Sequence, residues 1–241
     1  MSPTRRTALV AGLFYLLTFV SIPTLSLHAV VKGAGYVTGP GPDSGAILGG
    51  FLETLVALAC IGTAVALYPV VRRHGEGLAL GFVAARTLEA AMIFLGVTSI
   101  VTLVSLRQAT AVATDPSAAG AALVLAGSLG AAYNTAFLLG QSLMPGLNAL
   151  LLGTLLLRSG LVPRVIPLIG LVGAPIHLTA VVLTYFGALD RISTATLLAA
   201  LPIAVWEFSL GIYLVVKGFR TTALPEASLD EQAKRVPSRV G

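Results

Sequence analysis

The sequence predicts an all-α integral membrane bundle of six transmembrane helices with both termini in the cytoplasm. Three observations predict it: few charges, six apolar runs of crossing length, and the side on which lysine and arginine gather. Of 241 residues, 56% are hydrophobic and 10% charged, and the mean hydropathy is +0.93. Soluble domains carry roughly 25% charged residues, so this chain has too few to cover a water-facing surface. Its Gly 26 and Pro 13 are tolerated in membrane helices. One cysteine, Cys60, excludes an intrachain disulfide and leaves no thiolate cluster for zinc. Most basic residues behind the net charge of +5 flank the apolar runs, which is a topology signal, so no nucleic-acid partner is expected.

A crossing takes about 20 residues, and the six runs lie near 7–31, 46–70, 78–106, 132–157, 165–187 and 195–218. The gaps KGAGYVTGPGPDSG, RRHGEG, RQATAVATDPSAAG, RSGLVP and ALDRIST hold the turn formers and most charges. The first run follows a basic start, but it is too long for a secretion signal. It also lacks an A-x-A-like site, with Leu27 where a small residue is needed. It reads as an uncleaved span. With the N-terminus inside, the cytoplasmic basic residues are Arg5, Arg6, Arg72, Arg73, Arg158, Arg164, Lys217, Arg220, Lys234, Arg235 and Arg239. Only Lys32, Arg107 and Arg191 fall outside. That asymmetry places both ends in the cytoplasm.

Two segments differ from plain spans. Residues 118–131 are apolar but too short to cross, and joined to the fourth run they would make a helix of about 60 Å, twice the core thickness. They are expected to form a short interfacial or re-entrant piece on the outer side, broken from the fourth span near Gly127 or Gly130. From Thr221 the chain is polar, with Pro225, Pro237 and a Ser228-x-x-Glu231 capping box. The expected division is a transmembrane domain over 1–220 and a disordered cytoplasmic tail over 221–241.

Polar residues inside the runs are costly in lipid and are expected to face the bundle interior or water. Glu53 shares a face with Ala46, Gly49, Gly50, Ala57, Cys60 and Ala64; Glu207 with Ala200, Ala204 and Gly211; His177 with Gly170, Gly173, Ala174 and Ala180. Small residues at that spacing mark close helix approach. Asn134, Gln141 and Asn148 recur every seven residues, forming one stripe. Ser21, Thr24 and His28 lie toward the outer end of the first span. The plain reading of such amides, hydroxyls and histidines is hydrogen bonding between helices, and Cys60 reads as packing.

The stretch AARTLEAAM raises a harder question. Arg86 and Glu89 sit at i and i+3, so they can pair within one helix. By residue counting, Glu207 lies at nearly the same depth in the sixth span, and Glu53 nearer the outer side. Three carboxylates against one arginine leave an excess that must be protonated, hydrated or met by a cation. Prolines add to this. Pro23, Pro145, Pro175 and Pro202 free the carbonyls of Phe19, Gln141, Leu171 and Leu198. Freed carbonyls either line cavities or are re-satisfied by neighbours.

The stretches GGFLETLVALACIGTAVALYPVVRRHGEGLALGFVAARTLEAA, NALLLGTLLLRSGLVPRVIPLIGLVG and LPIAVWEFSLGIYLVVKGF resemble the domain of unknown function 4386 family. The resemblance runs from about Arg5 to Phe219 and includes Glu53, Arg86, Glu89, Asn148 and Glu207. In GAAYNTAFLLGQSLMPG the chain departs from the family, which often has an aromatic near Asn134 and a glycine near Gln141. The resemblance implies a bacterial multi-pass membrane protein, hence the cytoplasmic membrane, and carries no established activity.

No phosphate loop, H-E-x-x-H pair or G-x-S-x-G stretch is present. No catalytic residue, metal or cofactor is expected, and an enzyme is the least favoured class. Three classes stay open. One is a carrier or binder of a small cationic or proton-linked solute. Another is a non-catalytic sensor or assembly module whose polar cluster is structural, and the last is an intramembrane enzyme. The binding candidates are Glu53, Arg86, Glu89, Gln141, Asn148, His177 and Glu207. The expected partners are the lipid bilayer and a small solute or cation, with the oligomeric state open.

Overall fold

Runs of Ala, Leu, Val and Gly in lipid must satisfy their backbone polar groups internally, and the helix does this within one segment. The computed structural model describes residues 1–33, 35–39, 42–115 and 117–220. It contains α1 (Pro3–Thr18), α2 (Ser21–Val31), α3 (Ser44–Val71), α4 (Glu76–Ala111), α5 (Ala118–Phe137), α6 (Leu143–Ser159), α7 (Val165–Tyr185) and α8 (Thr194–Val216). Six helical stretches are long and apolar enough to cross a membrane: Pro3–Ala29, Ser44–His74, Glu76–Ala111, Ala118–Ser159, Val165–Tyr185 and Thr194–Val216. The tail expected over 221–241, with its Ser228–Glu231 box, lies outside the described residues.

The helices pack as a closed ring: α1 on α3, α3 on α4, α4 on α6, α6 on α7, α7 on α8, and α8 back on α1. The start of α1 and the end of α8 share one end of the bundle, the terminal end. The Arg5 guanidinium donates there to the Leu214 carbonyl at 2.9 Å and to those of Val215 and Val216. A cation on the last carbonyls of a helix satisfies orphan acceptors and complements the helix dipole. Between this end and mid-bundle the ring is filled by Tyr15, Leu67, Phe82, Leu152, Leu155, Trp206 and Leu210, all fully buried. Trp206 sets the rotation of α8. Its indole lies so close over Gly170 of α7 that a Cβ there would come within 2.7 Å of the ring.

The first span is not one smooth helix. α1 stops at Thr18, α2 starts at Ser21, and the N–H of Ile22 donates to the Phe19 carbonyl at 3.1 Å. Pro23 cannot supply the donor that carbonyl would receive in an α-helix, so the chain tightens one residue earlier.

The expected break near Gly127 or Gly130 is corrected. Both glycines lie inside α5, which continues through a π turn at Leu138–Ser142 into α6. The 42 helical residues of Ala118–Ser159 reach about 63 Å. Length alone had argued against such a helix, but α4 is also overlong, at 36 residues. Its far part packs on α5 through Ile100, Leu103, Val104, Ala122 and Tyr133. Burial between two long helices supports what neither sustains alone.

Candidate functional site

Arg86 projects from α4 into the ring, where it is 1% exposed. Its Nη1 donates to Glu89 Oε2 at 2.9 Å, and its Nη2 donates to Glu207 Oε1 of α8 at 3.3 Å. The first contact follows from helix geometry, because residues three apart are neighbours on one face. The second needs α8 to pack at the rotation that Trp206 sets. The guanidinium also lies over the Tyr15 ring of α1, 4.9 Å from its centroid, and 3.6 Å from Cys60 Sγ of α3. With both carboxylates ionised, this group carries one net negative charge.

The two carboxylates are not equivalent. Glu89 Oε2 accepts from Arg86 and also from Asn148 Nδ2 of α6, at 2.8 Å. Glu207 accepts from Arg86 alone, and its side chain is 12% exposed against 6% for Glu89. The exposed side of Glu207 faces a cavity of ≈ 200 Å³ to which all six spans contribute. Its lining includes Arg86 and Glu89 of α4, His177 of α7, Pro145 of α6, and Gln141. Phe19, Ser21 and Ile22 of the α1–α2 junction, Val56 of α3, and Ala200 and Ala204 of α8 also line it. Ile22 is exposed, so the cavity meets the bundle surface at that junction. The volume holds on the order of ten waters or one solute of a few heavy atoms.

His177 Nε2 lies 2.7 Å from the Ser142 carbonyl. A carbonyl only accepts, so Nε2 carries the proton and Nδ1, buried without a partner, is left as an acceptor. The His177 contact is thus with the last residue of the π turn. That turn ends three residues before Pro145, which cannot donate to Gln141. π turns are frequent at functional sites.

A second cluster lies toward the far end, away from the termini. Glu53 of α3 is fully buried, and its Oε1 accepts from Tyr133 Oη at 2.7 Å, Thr24 Oγ1 at 3.3 Å and Gln141 Nε2 at 3.5 Å. His28 Nδ1 lies 2.9 Å from Tyr133 Oη and 3.3 Å from Glu53 Oε1. Glu53 is therefore separate from the arginine cluster and is held by its own hydroxyls and imidazole. Gln141 lies between the two groups, lining the cavity while donating weakly to Glu53.

The seven-residue stripe does not present one face. Asn134 is exposed and accepts from Lys32 and Arg191, Gln141 is part-buried, and Asn148 is buried on Glu89. The π turn between Asn134 and Asn148 inserts an extra residue, which rotates everything after it by about 100°. Sequence reasoning also missed two tyrosines. Tyr15 shares its 3–4 spacing with Ala8, Ala11, Gly12 and Thr18, all buried. Tyr133 offered the signal of a single aromatic with a polar tip inside a small-residue run.

Among the described residues, no group of three or more His, Cys, Asp or Glu side chains is placed to hold a metal ion. The ring therefore offers a carboxylate-rich cavity, an imidazole acceptor and an amide, without a metal cage. No curated protein and no solved structure matches the chain. The family described as a domain of unknown function (DUF4386) matches residues 10–218, from within α1 to just past α8 and across both buried clusters; the chain belongs to that family.

Proposed function

We propose that the chain binds or carries a small cationic or proton-linked solute in the ring cavity, with Glu207 as the carboxylate that meets it. The observation that supports this is the asymmetry at Arg86. Glu89 is satisfied by two donors, while Glu207 has one long contact and faces open volume. A net negative group in a low-dielectric site attracts a cation or a proton. The cavity size restricts an organic cation to a few heavy atoms. Glu89 itself fits the structural alternative, a polar link that sets the register of α4 against α6.

We further propose that the protein lies in a bacterial cytoplasmic membrane, as the family resemblance implies, with both termini in the cytoplasm on the strength of its lysine and arginine asymmetry. Reporter fusions at the C-terminus test that placement, and an external C-terminus refutes it. The cavity is tested with methylammonium, guanidinium and choline added to the purified protein, reading the unfolding midpoint. At least one is expected to raise the midpoint of the wild type and to lose this effect in a folded Glu207→Gln variant. In proteoliposomes the same variant is expected to lose the pH dependence of uptake. Equal responses in wild type and Glu207→Gln remove Glu207 from the site.

A further inference from the structure

The far end of the bundle brings two cations onto one neutral oxygen. Lys32 follows α2, Arg191 lies in the turn between α7 and α8, and Asn134 projects from α5. Lys32 Nζ and Arg191 Nη2 both donate to Asn134 Oδ1, at 3.3 and 3.0 Å. Each cation is backed by an aromatic face. Lys32 lies 4.5 Å from the Tyr133 centroid and Arg191 4.6 Å from that of Phe137.

Two like charges on a single amide oxygen repel each other, and the described residues put no carboxylate within ion-pair distance of either. Asp43, at the same end, is engaged by Arg107, Gln108 and Tyr36. Glu53 is buried beneath Tyr133 and acts on these cations only at a distance. A further observation points the same way: Arg191 Nη1 is buried with no hydrogen-bond partner. A buried guanidinium nitrogen left unmet costs the desolvation of a charged donor. Anchoring by aromatic faces and Asn134 accounts for where the cations rest, but meets neither the repulsion nor the orphaned N–H. An oxyanion answers the repulsion, because its several oxygens accept from both cations at once; it meets the orphaned N–H, which has no exposed surface, only when the guanidinium turns toward it.

We infer that Lys32, Arg191 and Asn134 form an oxyanion site at the far end, taking a sulfate, phosphate or carboxylate group, either free or on a lipid headgroup. Arg191 supplies a second N–H beside the one on Asn134, Lys32 supplies a mobile point charge, and the Asn134 amide adds a neutral donor on rotation. The Lys32 ammonium supports the assignment. Burial first, and then the Arg191 charge, lower its pKa to about 8 against the opposing pull of Glu53. The site stands apart from the ring cavity and does not depend on a solute binding there.

The test uses the full chain in detergent with inorganic sulfate as probe, because sulfate, unlike phosphate, keeps its charge near neutral pH. Sulfate is expected to raise the unfolding midpoint above that in chloride of equal ionic strength. Lys32→Gln and Arg191→Gln are each expected to weaken this response about tenfold, the loss of one charge-assisted hydrogen bond. Arg158→Gln, at the terminal end, is expected to respond like the wild type. If Arg191→Gln does not fold, the half-buried Lys32 variant decides. A parallel arm reconstitutes the chain in nanodiscs of phosphatidylglycerol or phosphatidylcholine and reads retained lipid by native mass spectrometry. Sulfate response with no lipid preference identifies a free oxyanion. Selective phosphatidylglycerol retention, lost in Lys32→Gln, identifies a headgroup. No response in either arm, or one unchanged in both variants, overturns the site.

Discussion

The two buried carboxylate clusters solve the same problem in opposite ways. Around Arg86, two carboxylates share one guanidinium, and the unshared part of Glu207 opens onto a cavity. Around Glu53, one carboxylate is closed in by Tyr133, Thr24, His28 and Gln141, and the cations Lys32 and Arg191 gather outside it. The first region has an excess of negative charge facing inward, the second an excess of positive charge facing outward. Burying a charge is tolerated only when it is paired or hydrogen-bonded. The difference therefore teaches where partners are missing: inside the ring for a cation, and at the far end for an anion.

The strongest way to break this comparison is to remove the guanidinium. Arg86→Met leaves Glu89 and Glu207 buried without their cation and is expected to cost about 3–5 kcal/mol, read as loss of folded protein in detergent unfolding. Adding Glu207→Gln is expected to recover part of that loss. A single variant as stable as the wild type would mean that both carboxylates are neutral without help. Next comes the contrast within the cluster. Glu89→Gln disturbs two donors at once and is expected to cost about 1–3 kcal/mol, whereas Glu207→Gln, with one long contact, is expected to cost less than about 1 kcal/mol. Equal costs would erase the division between a structural and a cavity-facing carboxylate.

The far cluster is sharpened by Tyr133→Phe. It removes the hydroxyl that joins Glu53 to His28 and is expected to cost about 1–2 kcal/mol in the same unfolding measurement. The last is the pH response of Lys32, which solvent screening at this half-buried group reduces. Its folded pKa, about 8, lies below the ordinary lysine value of 10.5, so between those values the unfolded chain binds more protons. Stability without an anion therefore rises with pH across that window, while sulfate binding falls as Lys32 loses its charge. The groups facing Lys32 are Arg191, Tyr133 and Glu53. The difference curve between wild type and Lys32→Gln isolates the effect, and a flat curve would mean that Lys32 does not titrate there.

Composition and run length alone determined the six helices, among the described residues, that are long and apolar enough to cross a membrane, because a backbone in lipid has so few other ways to satisfy its polar groups. The Arg86–Glu89 pair was equally legible, since both residues lie on one helix three positions apart. Glu207 was placed at the right depth by counting, but that it shares Arg86 depends on how α8 is turned against α7 at Trp206 and Gly170. The separation of Glu53 from that cluster, and the hold of Tyr133 on it, could not be read along the chain. Nor could the scattering of Asn134, Gln141 and Asn148, which rests on the π turn at Leu138–Ser142. A residue's neighbours on its own helix follow from a fixed rise and rotation. Its neighbours on other helices depend on the rotation and register of every helix in the ring, and those are set only when all the faces pack together.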